Sequence, residues 1–168
     1  KQTVTSQIAV LDLTQVYADD VNSAVRGIKL DTKNKNLVVQ DEINFKNDNN
    51  EIYWFMHTKA DITIAANGKS AILQSGGERV YLQILGTNTM KFSQMDAVPL
   101  DTSPDPDTLE ENINNGMAQN KNRGIKKLYI HQTGVSKGNY TISVAISPLA
   151  AGENYPSSTA TFKAIANW

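Results

Sequence analysis

There is no cysteine in these 168 residues. That absence excludes a disulfide framework, a thiolate metal site and a cysteine nucleophile together. Histidine is nearly absent too, with only His57 and His131 to draw on. A zinc site would have to recruit carboxylates from distant segments, so neither a metal nor another cofactor is expected. No apolar stretch approaches the ~20 residues that a membrane helix needs, so no membrane partner is expected. Sixteen basic and seventeen acidic side chains leave a formal net charge of −1. A chain this balanced has no field to gather nucleic acid, and a polyanion would need a local basic patch. The opening KQTVTSQ lacks the charged-then-apolar order of a signal peptide, so any leader is expected to have been removed already. A nucleophile elbow, a phosphate-cradling glycine loop, HExxH and a dinucleotide fingerprint are all missing.

What is present is alternation. Hydrophobic residues make up 40% of the chain, and at this length roughly 70% of the unfolded surface can be buried. A single domain over residues 1–168 is therefore expected. Period two dominates, and no long segment carries the period of an amphipathic helix. QIAVLDLT (7–14), SAVRGIKLDT (23–32), LVVQDEINF (37–45) and EIYWFMHT (51–58) read as strands. They are separated by polar turns such as KNKN and KNDNN. DITIAA, SAILQS and RVYLQILG follow, with Asn67-Gly68 as a hairpin signal between the first two. MKFSQMDA (90–97), IKKLYIHQTG (125–134) and YTISVAISP (140–148) add further strands, and STATFKAIANW suggests a closing edge strand. The fold class is all-β: an antiparallel β-sandwich of about 10–12 strands. One long polar loop, about 100–124, interrupts it, and such loops are commonly functional or poorly ordered. Within that loop Leu109, Ile113 and Met117 recur every fourth residue, as in a short surface helix. The acidic run Asp101 to Asp107 lacks the glycine and terminal glutamate of a calcium loop.

The stretch EIYWFMHT raises the functional question. On a pleated strand Ile52, Trp54, Met56 and Thr58 face one way, and Tyr53, Phe55 and His57 the other. An antiparallel sandwich strand normally has one polar face. Here both are apolar or aromatic, as for a strand covered on both sides by a loop, another protein surface or a ligand. His57 stays open between a wall residue, a cleft-lining residue and a ligand or acid–base group. Arg26 lies on a mostly apolar face and calls for a carboxylate partner, with Asp41 or Glu42 available. Those two acids are adjacent and point to opposite faces, so they cannot form a catalytic pair; solvation or a lysine partner is expected. Lys121, Arg123, Lys126 and Lys127 form the single basic cluster, suited to an anionic sugar or to solubility alone.

In order along the chain, DLTQVY, AVRGIKLD, LVVQDEI, EIYWFMHT, NRGIKKLYI and VAISPL resemble the C-terminal β-sandwich region of heparinase II/III-like polysaccharide lyases, over roughly residues 8 to 149. The resemblance implies a parent enzyme that cleaves uronic-acid polysaccharides, heparin- or heparan-like, by β-elimination. In such enzymes a tyrosine or histidine removes the proton beside a charge-neutralised carboxylate. Most of those groups belong to a preceding helical toroid, and no HxH or HxD element opens this sequence. No catalytic or metal residue is therefore carried over, and the chain alone is expected not to be an enzyme. His57 matches the histidine of the family's W-x-x-H-T stretch, as a structural or cleft-lining residue. The implied function is an ancillary domain packed against the toroid and helping to shape the substrate cleft, in a periplasmic or secreted protein. Substrate- or interface-lining candidates are Tyr53, Trp54, Phe55, His57, Arg123, Lys126 and Lys127. An exposed apolar patch is expected on one face of the 51–58 strand. The alternative is a stand-alone carbohydrate-binding module for an acidic polysaccharide, with Trp54 or tyrosines as its stacking platform. An enzyme in its own right would need His57 and a tyrosine hydroxyl converging on one pocket.

Overall fold

Turn chemistry divides the chain where glycine and asparagine stand. Gly68 adopts a positive φ of 72° and Asn49 one of 63°, the left-handed backbone that these residue types tolerate best. In the Asn67-Gly68 turn, Gly68 N–H donates to the Ala65 carbonyl and the Asn67 side chain accepts from Lys69 N–H. A computed structural model describes residues 5–86, 89–103 and 122–168. Of the long polar loop, residues 104–121 lie outside the described residues, and with them the candidate helix at Leu109, Ile113 and Met117.

Among the described residues there are ten strands: β1 (Ser6–Asp12), β2 (Val21–Asp31), β3 (Asn36–Phe45), β4 (Asn50–Thr58), β5 (Asp61–Ile64), β6 (Ser70–Ser75), β7 (Glu78–Ile84), β8 (Phe92–Asp96), β9 (Lys126–Val135) and β10 (Gly138–Pro148). They form two antiparallel sheets, seven-stranded in the order β1-β2-β3-β10-β7-β6-β5 and three-stranded in the order β4-β9-β8. The fold is a sandwich with unequal layers. Its main core lies between the three-stranded sheet and β10, β7 and β6, where Trp54, Leu82, Leu128, Ile130 and Val144 meet. A second cluster joins Val21, Ala24 and Phe45 to Val135 at one end. Farther along β2 and β3, Ile28, Leu30 and Val39 belong to neither cluster. The small sheet roofs only half of the large one.

The other face of the large sheet has a different cover. The segment after β10 was expected to pair as an edge strand; it makes no strand and ends in a short 3-10 turn, Ile165–Asn167. It runs as a strap across the sheet, and side chains of the strands satisfy its backbone. Arg79 of β7 donates to the Glu153 carbonyl at 2.6 Å, Gln40 of β3 donates to the Lys163 carbonyl at 2.9 Å, and Ile165 N–H donates to Glu42 at 2.7 Å. This explains why Gln40 is buried although polar, while Ser147 donates to the buried Asn36 side chain at 2.7 Å. Trp168 ends the strap against β2, over Gly27. A β-carbon there would stand 2.8 Å from the indole ring. The glycine in mid-strand is thus a matter of space rather than of backbone angle.

Candidate functional site

The aromatic strand behaves as its alternation requires. Trp54 points inward, 5% exposed, and tilts against Phe92 at 6.4 Å between ring centres. Ile52 and Met56 pack beside it. Trp54 therefore cannot serve as a solvent-facing stacking platform; burial of so large a ring makes it a core anchor. Tyr53, Phe55 and His57 face outward, the first two half-buried and His57 exposed.

Register completes that outer face with residues of β9. Tyr53 stands opposite His131, Phe55 opposite Tyr129 and His57 opposite Lys127. Tyr53 lies between two parallel neighbours, His131 at 4.0 Å and Phe55 at 5.3 Å. Tyr129 tilts against both Tyr53 and Phe55 at 6.4 and 6.1 Å. Glu51 accepts from His131 Nε2 at 2.7 Å and also bonds the Tyr53 hydroxyl. Desolvation, with the Glu51 charge next, pushes the Tyr53 phenol above its ordinary range. Both faces of the Tyr53 ring are thus covered by its neighbours, and the row turns ring edges outward with an acid at one end, suited to packing against a flat apolar surface.

His57 makes its ring contact with Phe55 at 6.3 Å. No hydrogen bond joins it to a tyrosine among the described residues. The histidine that does meet a tyrosine is His131, stacked on Tyr53, and it was not among the candidates. The signal was available: Lys127, Tyr129 and His131 alternate in β9 as Tyr53, Phe55 and His57 do in β4.

The basic cluster divides. Lys126 and Lys127 are successive strand residues and point to opposite faces. Lys127 joins the aromatic face, its ammonium 4.8 Å from the Phe55 ring centre, and donates to the Val98 carbonyl. It is 7% exposed, which leaves little of it for an anionic ligand. Arg123 is exposed in the turn before β9, and Lys121 lies outside the described residues.

Beside this face, on the unroofed half of the large sheet, opens a cleft of about 490 Å³. Tyr17, Arg26, Asp41, Glu51, Ile52 and Tyr53 are among its lining residues. Arg26 finds the expected partner in Asp41, by two bonds of 2.6 and 2.8 Å, and those bonds raise its pKa further. Neither acid of the 41–42 pair meets a lysine: Glu42 instead accepts from Gln40 at 2.8 Å and holds the strap. With Asp20, Asp41 and Glu51 against a single guanidinium, the cleft is acidic. It suits a neutral or cationic group better than a uronate. No group of three or more histidine and carboxylate side chains is arranged to hold a metal among the described residues. No helix there is long and apolar enough to cross a membrane.

No protein-family model matches the sequence, and no curated protein matches it either. Solved structures do match. Heparan sulfate lyase HepC from Pedobacter heparinus superposes with a TM-score of 0.60 at 9% identity, over 91% of this chain and 21% of that one. A mutant of the same lyase gives 0.57 at 10% identity, over 95% of this chain and 21% of that one. At such identities the likeness is one of fold. The chain spans about a fifth of the length of the lyase structures it matches.

Proposed function

We propose that this chain is one ancillary β-sandwich domain of a polysaccharide lyase. The parent would act by β-elimination on uronic-acid polysaccharides of the heparin or heparan kind, in the periplasm or outside the cell. The domain braces the helical catalytic domain and helps to shape its cleft. One observation carries the reading: nearly the whole chain shares its fold with about a fifth of a heparan sulfate lyase. A second feature is consistent with a brace. Large apolar side chains lie exposed at the β1 edge, where Val10 is 55%, Leu11 43% and Val16 71% accessible. Leu30, beside β1, is 36% accessible. Val10 and Leu11 point to opposite faces, so it is Leu11 and Leu30, on the cleft side, that with the open edge of β1 offer a surface to a partner. The aromatic row, half-buried, is a less open surface than the β1 edge.

The test uses the parent protein, intact and divided before residue 1. The isolated chain should associate with the remainder in sedimentation and give no ultraviolet-absorbing unsaturated product from heparan sulfate. Leu11→Glu with Leu30→Glu should weaken association at least about tenfold, as two charges would have to be buried unpaired. Product from the isolated chain, or failure to associate, would overturn the reading.

The aromatic face, with His131, Tyr53 and Phe55 stacked and Tyr129 tilted against them, favours a second reading, a carbohydrate-binding module for an acidic polysaccharide. Its mark would be heat on titrating the chain alone with heparan sulfate oligosaccharides, abolished by Tyr53→Ala with Tyr129→Ala.

A further inference from the structure

The seven-stranded sheet ends differently on its two sides. One edge, β5, is four residues long and opens on an acid, Asp61. The other, β1, is seven residues long, and its residues 6–11 read SQIAVL, without charge or proline. Natural edges refuse further pairing by being short or by carrying charges, prolines or bulges. Over residues 6–11 β1 uses none of these, and its register with β2 runs unbroken from Ser6 to Asp12. A partner that takes Leu11 and Leu30 on the cleft side leaves Ile8 and Val10 bare. Those two are exposed on the strap side, level with Lys29 and Gly27.

Two hydrogen bonds fix which way the β1 backbone points. Thr32 N–H donates to the Thr5 carbonyl at 3.1 Å, and Leu13 N–H donates to the Ala24 carbonyl at 2.8 Å. Residues 5 and 13 therefore turn toward β2, and in an antiparallel ladder every second residue between them does the same. Gln7, Ala9 and Leu11 are spent on β2 in this way. Ser6, Ile8, Val10 and Asp12 turn their N–H and C=O groups outward, where no strand meets them among the described residues. A second β1 strand arriving antiparallel must match outward residues to outward residues, so the two-fold axis has to pass through a residue. Only an axis at Ala9 pairs all seven. It sets Ile8 against Val10 twice, Ala9 against Ala9, Gln7 against Leu11 and Asp12 opposite Ser6. An axis at Val10 would set Asp12 against Ile8, and one at Ile8 would set Val10 against Ser6. The edge is self-complementary in one register.

We propose that two copies of this chain join antiparallel through β1, about a two-fold axis at Ala9, into one continuous sheet. Ile8 and Val10 exchange backbone bonds across the axis, and their β-branched side chains cover one another on the strap side. The contact is a single strand pair, so the dimer lies at the weak end of specific interfaces and forms with rising concentration. It does not depend on the chain's place in a lyase.

Sedimentation of the intact chain over a dilution series should show monomer and dimer in reversible exchange, with no larger species. Amide hydrogen exchange should slow at Ile8 and Val10 as concentration rises, and change less at Ala9 and Leu11, which are already bonded to β2. Val10→Lys sets a cation against Ile8 at both symmetric places and should weaken the dimer at least about tenfold. Val10→Pro should abolish it, because it deletes an outward N–H and no ladder bond to β2. Unchanged exchange protection in β6 and β7 certifies the fold of both variants. The inference is overturned by a chain still monomeric at ~1 mM, or by open-ended assembly beyond the dimer. A dimer that Val10→Lys leaves intact, or whose Ile8 and Val10 amides exchange as in the monomer, overturns it equally.

Discussion

The two halves of the seven-stranded sheet carry the same alternating pattern and meet different fates. Under the three-stranded sheet, Leu82, Leu128, Ile130 and Val144 are wholly inaccessible. On the β1–β3 half the same side of the sheet shows Leu11 and Leu30 at 43% and 36% exposure, with the Arg26–Asp41 pair between the strands. Period two tells which residues share a face, but only a second layer makes that face a core. The difference also separates two uses of polarity. The roofed half spends its inner face on hydrocarbon, whereas the open half keeps a paired charge and an acidic cleft. A half-sheet patterned for burial and left open fits a domain that meets a partner on that side.

The contrast breaks most readily at its extremes. Trp54→Ala should cost about 3–5 kcal/mol, as the void left under the small sheet cannot collapse. Leu30→Ala on the open half should cost under about 1 kcal/mol. Urea denaturation of both variants measures the gap. Comparable losses would mean that the open half is as well packed as the roofed one.

An intermediate effect is expected at the charged pair. Asp41→Asn removes the anion from beside a half-exposed Arg26 while keeping shape, and should cost about 2 kcal/mol, the scale of a hydrogen bond to a charged group. Loss of stability at that scale should persist in high salt, because short bidentate contacts are screened less than surface pairs. An effect that vanishes in 1 M salt would place the pair on the open surface rather than at the floor of a cleft.

The strands were legible in the sequence because their punctuation is local. KNKN, KNDNN, Asn67-Gly68 and Gly76-Gly77 each end one alternating run and start another. That Trp54 and Tyr53 face opposite ways was legible for the same reason, and Arg26's partner was narrowed to Asp41 or Glu42; which face turns inward and which acid pairs were not. The rest depends on pairing that no local signal encodes. β4 joins β9 far along the chain, so the meeting of Tyr53 with His131 follows from topology and not from any turn. STATFKAIANW alternates like a strand, yet Gln40 and Glu42 satisfy its backbone from the sheet face, so it needs no ladder. Lys126 and Lys127 look like one patch in sequence and are divided by the pleat.

The smallest expected effect probes the seam between the two halves. Tyr140 packs against both core clusters, 6.3 Å from Phe45, and burial pushes its phenol above the ordinary tyrosine value. The unfolded chain then loses that proton first, near pH ~10, so ionisation favours unfolding. The stabilisation is fully present below that pH and is lost as pH rises through the higher folded value. Tyr140→Phe should flatten the alkaline fall of Tm, measured above about pH 9, relative to the parent chain. Tyr53 is raised too, but it lies on an outer face where water screens the change, so Tyr53→Phe should flatten the fall less. Equal slopes for the two variants would mean that the seam is as wet as the aromatic face, and that the roof of the sandwich ends before Tyr140 rather than over it.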